Sequence, residues 1–150
     1  MKNLKYILYI LGLGALIYLS GCKDDSSDAA PSETDQQLTT LINNGTNWVL
    51  SSNGVTKDGY DVTSQFSGFN LNIGNKTYST TNGLSPVWPE MGTWDFQDNN
   101  PGIITRDDGV IIIVNVSTSE LVLTFTADAV PTGGKVESVS GEYQFHLVSE

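Results

Sequence analysis

From residue 46 to residue 150 the apolar positions of this chain recur at every second residue. Trp48 and Leu50 share one face of an extended segment; Phe69, Leu71 and Ile73 share another, with Asn70 and Asn72 opposite. Trp94 with Phe96, then Leu121, Leu123 and Phe125, then Tyr143, Phe145 and Leu147 repeat the pattern, with mostly polar residues between them. Successive side chains of an extended backbone point to opposite faces, so this alternation marks half-buried strands. It predicts strands over 46–51, 69–74, 77–80, 92–96, 103–106, 110–116, 121–126 and 141–148. The 110–116 segment is apolar on both faces except at Asn115, which predicts a cover on its second side.

The breakers fall between these runs. Gly74-Asn75 and Asp108-Gly109 suit tight hairpins because they tolerate positive φ, and Ser117-Thr118-Ser119 joins the next pair. Ahead of the strands, Leu38, Leu41 and Ile42 stand at i, i+3 and i+4. That spacing predicts one short helix over 35–42, capped by Ser32 or Thr34 and stopped by Asn43-Asn44-Gly45. The helix would lie across one end of the strands and is the candidate cover for 110–116. The fold class is therefore all-β. Eight antiparallel strands on short hairpins in about a hundred residues predict a closed up-and-down barrel, since closure removes aggregation-prone edges. A β-sandwich is the alternative, because strand spacing alone does not separate the two.

The N-terminus changes the picture from a free domain to an anchored one. Lys2 and Lys5 precede an uncharged apolar run over 6–19, which is 14 residues long. A membrane-spanning helix needs about 20, whereas a basic start and a short apolar middle describe a secretory signal peptide. The run ends Leu19-Ser20-Gly21-Cys22, which resembles a bacterial lipobox. The resemblance implies cleavage before Cys22 and attachment of a diacylglyceryl group to it. Two or more acyl chains hold a protein stably at a membrane where one does not. Residues 1–21 are thus read as a lipoprotein signal peptide. Residues 22–34 are read as the lipidated Cys and a disordered acidic tether, and 35–150 as the barrel domain. The tether has no aromatic or branched aliphatic residue with which to fold. Its Lys23-Asp24-Asp25 resembles the acidic export signal of surface lipoproteins in Bacteroidota. That implies an outer-membrane lipoprotein at the cell surface, the periplasmic face being the other orientation.

Charge and composition then remove function classes. Seven Lys and Arg stand against 17 Asp and Glu, and loss of the signal peptide takes the formal charge from −10 to −12. No cationic surface exists for a nucleic-acid backbone. The single Cys allows no internal disulfide and is consumed by the anchor. The single His, His146, alternates away from Tyr143, Phe145 and Leu147 and is expected to face outward, leaving acid–base catalysis without its usual base. No Gly-x-Ser-x-Gly sequence is present, and the acidic turns at Asp58-Gly59-Tyr60-Asp61, Asp95 to Asn100 and Asp107-Asp108 lack the EF-hand spacing. We therefore expect no catalytic residues, no metal and no cofactor.

Trp48, then Gly92-Thr93-Trp94-Asp95-Phe96, Arg106-Asp107-Asp108-Gly109 and Gly141-Glu142-Tyr143-Gln144-Phe145 together resemble small lipocalin-like lipoproteins of Bacteroidota, over roughly residues 46–150. The resemblance implies a fold and a location, and little chemistry.

Binding is the expectation that remains. A barrel of eight strands is wide enough either to be packed with side chains or to hold one small ligand. Trp48, Phe69, Trp94, Phe96, Phe125, Tyr143 and Phe145 are predicted to point inward. The loop 81–91 sets Trp88 between Pro86 and Pro89, either as an exposed platform or folded back as a cap. Tyr60 carries the same ambiguity on the long loop 53–65. The primary reading is a non-enzymatic module that binds a small apolar ligand or a glycan at the barrel mouth, through Trp88, Tyr60 and Trp94. The alternative is a structural or accessory surface lipoprotein with a filled barrel, working through contacts with an envelope protein partner.

Overall fold

The computed structural model describes residues 30–128 and 139–150. Residues 1–29, read above as signal peptide, lipidated Cys22 and most of the tether, lie outside these residues. Within them Pro31–Glu150 forms one compact unit.

Among the described residues nine strands follow one α-helix. They are β1 (Trp48–Lys57), β2 (Tyr60–Asp61), β3 (Asn70–Gly74), β4 (Thr77–Thr81), β5 (Met91–Phe96), β6 (Ile103–Arg106), β7 (Ile111–Val116), β8 (Glu120–Ala127) and β9 (Gly141–Ser149). Each of β3 to β9 pairs antiparallel with its neighbour in sequence. β1 pairs with β3 on one side and β9 on the other, which closes eight strands into a lipocalin-like up-and-down barrel. β2 is a ninth, two-residue strand folded back on β1.

The alternation in the sequence is the inside and outside of this wall. Trp48, Phe69, Trp94, Phe125, Tyr143 and Phe145 are all buried in one core, while Phe96 is half-buried at its margin. Phe66, Tyr78 and Trp88 join that core, so the interior is more aromatic than the alternation indicates.

Three features of the strands depart from the sequence reading. First, β1 runs to Lys57 rather than ending at Ser51, which converts the start of the 53–65 loop into strand. The polar Ser52-Asn53-Gly54 stretch hides this because it is a bulge. The pairing of β1 with β9 shifts register between Leu50 and Val55, Asn53 is left-handed, and Val55 returns to the interior. Second, the outward face of β7 has no cover among the described residues. Ile112 and Val114 point into the core, but Ile111 and Ile113 are 51 % and 59 % exposed. Third, the positive φ of the β3–β4 turn falls on Lys76 rather than on Gly74 or Asn75.

The helix α1 (Glu33–Ile42) starts two residues before the predicted point, inside the segment read as tether. Ser32 is its cap, and the cap is reciprocal: Ser32 Oγ accepts from the Asp35 N–H at 3.1 Å, and Asp35 Oδ2 accepts from the Ser32 N–H at 3.2 Å. Asn43, in the left-handed conformation, ends it. Leu41 is fully buried, and its carbonyl accepts the Trp48 indole N–H at 2.9 Å. That bond ties the helix to the first strand, and the helix packs on β3 and β7 where the barrel wall ends.

Candidate functional site

The opposite end of the barrel is reached by the β4–β5 loop and by the short turn of 3-10 helix at Thr63–Phe66. Both send side chains inward. Phe66 meets Phe145 edge to face with ring centroids 5.0 Å apart. The loop between β4 and β5 folds back so that Val87 and Trp88 are buried. Gly83 makes this fold possible: a Cβ there would lie 2.4 Å from the Trp88 carbonyl oxygen, so any other residue would push the loop out. Thr80 Oγ1 donates to the Pro89 carbonyl at 2.9 Å, and the Trp88 N–H donates to the Gly83 carbonyl at 3.1 Å.

Trp88 is therefore a cap and not an exposed platform. Its ring stands against Phe69, Tyr78, Phe125 and Phe145, with centroids 5.4–6.2 Å away. Against the same indole lies the guanidinium of Arg106, its carbon 4.8 Å from the ring centroid. Arg106 is 2 % exposed and is the one buried charged residue among those described. It shares the inward face of β6 with Ile104 and stands opposite Trp94 on β5. Nη1 donates to the Val87 carbonyl at 2.9 Å. Nε and Nη2 donate to the two carboxylate oxygens of Asp108 at 3.1 and 2.6 Å. A buried guanidinium persists when its donors are spent in this way.

Electrostatics follow from that pairing. Burial pushes the Asp108 carboxyl up, but the Arg106 hydrogen bonds and charge outweigh it, so its pKa ends below the usual carboxylate range. Burial raises the Tyr78 phenol above its usual value, against the pull of Arg106. On the outer wall the Lys76 ammonium bonds Asp95 and holds that carboxyl below its usual range, while lying 5.6 Å from the Trp94 ring centroid and 5.1 Å from that of Phe96.

The space left inside is small. Leu41, Tyr78, Trp88, Trp94, Arg106 and Leu123 are among the walls of an internal cavity of about 10 Å³. That is the room of about one water molecule. Two buried polar atoms of residues that border it, Tyr78 Oη and Trp88 Nε1, have no hydrogen-bond partner among the described residues, and the cavity surface itself is apolar. Outside the wall, Lys76, Thr93, Trp94, Asp95, Thr105 and Asp107 border an open concavity of about 530 Å³.

The three sequence candidates thus separate. Trp88 and Trp94 both line the internal cavity, while Tyr60 stands 77 % exposed on the β1–β2 hairpin. Trp94 is buried like Trp88, and its indole N–H donates to the Thr77 carbonyl at 3.0 Å. Arg106 is a site residue that the sequence pattern does not single out. The signal for it was its i+2 relation to Ile104, which places it on the inward face. His146 lies on the β9 wall, its side chain 44 % exposed and 4.0 Å from Glu120. Among the described residues no three His, Cys, Asp or Glu side chains are grouped to hold a metal ion. No protein-family model matches the chain, and neither a curated protein nor a solved structure matches it.

Proposed function

We propose that this chain is a lipid-anchored bacterial envelope protein of the small lipocalin-like kind. It is non-enzymatic, and its filled barrel makes protein contacts through the outer wall. The observation that carries the reading is that the internal cavity bordered by Trp88, Trp94 and Arg106 holds only about 10 Å³. A small apolar ligand needs a pocket of roughly 300 Å³ or more, so the barrel as folded does not serve as a container. The outer wall is the surface left to work with, and Ile111 and Ile113 stand exposed on it where single surface apolar residues usually scatter. The lipobox resemblance at Leu19-Ser20-Gly21-Cys22 supports the anchor, and the Lys23-Asp24-Asp25 segment supports the outer-membrane, cell-surface location.

The glycan reading keeps one observation in its favour, the outer concavity with its hydroxyls, carboxylates and Lys76. Such a mixture of donors and acceptors suits a sugar, although the Trp94 ring is too buried to serve as a stacking face.

The anchor is tested by metabolic labelling with a radiolabelled fatty acid. Cys22→Ala should lose the label and leave the membrane fraction; retention of both overturns the anchor. The surface reading is tested by photo-crosslinking in cells from position 113 and from Ser79 on β4. A discrete adduct from position 113 that is absent from position 79 is expected. A several-degree rise in Tm with a lipid or an oligosaccharide, or no adduct from position 113, overturns it.

A further inference from the structure

Trp88 differs from the other two tryptophans of the chain. Trp48 and Trp94 come from strands, and both indole N–H groups are bonded, to the Leu41 and Thr77 carbonyls. Trp88 comes from a loop, is 3 % exposed, and its indole N–H has no partner among the described residues. A buried donor left unpaired destabilises the state that buries it. Its surroundings form a cage: the rings of Phe69, Tyr78, Phe125 and Phe145, and the Arg106 guanidinium over one face. The buried hydroxyl of Tyr78, one of the caging residues, also has no partner among the described residues. The residue before Trp88 supplies the second half of the arrangement, because the Val87 carbonyl takes Nη1 of Arg106. The loop thus presents a flat ring to an aromatic cage and, beside it, an oxygen to a buried cation.

We propose that Val87-Trp88 occupies, from within the chain, a binding site for a planar aromatic carboxylate, which enters by displacing the β4–β5 loop. The exchange replaces like with like. A ligand ring takes the place of the indole among the four rings. A carboxylate takes the place of the Val87 carbonyl on Nη1, turning a neutral acceptor into a charged one, the stronger partner for a guanidinium. The released indole N–H regains a hydrogen bond to water. The turning points are present at the start of the loop, where Asn82 and Leu84 are left-handed with φ of 55° and 53°. The inference goes beyond the surface reading above and does not depend on it.

The test uses the full-length chain on phosphatidylcholine nanodiscs, labelled with 5-fluorotryptophan, with 1-naphthoate as the probe. The three tryptophans give three ¹⁹F resonances, and Trp88→Phe assigns one of them. The expected result is a saturable shift of the Trp88 resonance toward its solvent-exposed position while that of Trp48 stays fixed. Neutral 1-naphthalenemethanol should bind at least tenfold more weakly. Because the loop competes with the ligand, the affinity of the native chain is reduced by the fraction of time the site is open. Trp88→Ala should therefore bind 1-naphthoate at least tenfold more tightly than the native chain. Three results overturn the proposal: no saturable shift in the native chain, equal binding of acid and alcohol, or binding by Trp88→Ala alone. Should Trp88→Ala fail to fold, the two native-chain comparisons decide the matter.

Discussion

The guanidinium of Arg106 lies over the indole of Trp88 with its carbon 4.8 Å from the ring centroid, and the same guanidinium holds the carbonyl of the preceding residue, Val87, at 2.9 Å. A strand residue from β6 thereby fixes a loop residue in the middle of the barrel. This relationship, more than the helix at the other end, decides that the interior is filled.

The counter-ion of Arg106 makes acid stability a direct probe of this arrangement. The Asp108 pKa is lowered in the folded protein, so the unfolded chain binds the proton more readily and stability rises with pH through this range. The contribution is complete above the unfolded carboxylate value of about 4, and is lost as pH falls through the lower folded value. Asp108→Asn should destabilise the protein at pH 7 by about 1–3 kcal/mol. That is less than a fully buried pair, because Asp108 is 36 % exposed. The difference between native and variant, measured by urea unfolding, should shrink steadily below pH 4.

Trp48→Phe removes the bond between α1 and β1. It leaves the Leu41 carbonyl without its donor and a gap where the fully buried indole stood. A loss of about 2–4 kcal/mol is expected from the two effects together. Amide exchange should show α1 opening ahead of the strands, which an effect confined to the wall would not produce.

Gly92 on β5 carries the ring of Tyr78 across it, and a Cβ there would lie 2.6 Å from Tyr78 Oη and 2.8 Å from Asp107 Oδ1. Gly92→Ala should cost about 1–3 kcal/mol by overpacking. Tyr78→Phe takes away the nearest of these atoms, so the double variant should recover part of the loss. Strict additivity in a double-mutant cycle would contradict the contact.

On the outer wall the expectation reverses. Replacing both Ile111 and Ile113 by Thr should change stability by less than about 0.5 kcal/mol per site, as for ordinary surface positions, because both are more than half exposed. Unfolding of the double variant at a midpoint several molar units of urea lower would show that something in the folded chain covers them.

At the helix N-terminus, Ser32→Ala breaks the reciprocal cap with Asp35 and should cost about 1 kcal/mol. Ser32→Asp should restore most of it, as read by thermal unfolding.

The sequence by itself determined the wall of this protein. Period-two alternation is a local property of an extended backbone, so the positions of Trp48, Phe69, Trp94, Phe125, Tyr143 and Phe145 in the core were legible before any pairing was known. The Ser32–Asp35 cap was legible for the same reason, being a contact between residues three apart. Only the tertiary structure decided the rest. Closure of β1 on β9 joins residues about a hundred positions apart, and the bulge between Leu50 and Val55 is set by that pairing, so the polar letters of Ser52 to Gly54 concealed it. The second face of β7 reads as buried from its isoleucines alone, yet whether a face is covered depends on where other segments lie. Trp88, flanked by prolines, fits equally an exposed platform and a cap. Its place was decided by a buried cation 18 residues further along the chain and by four rings from other segments, and that choice turned a potential container into a packed barrel.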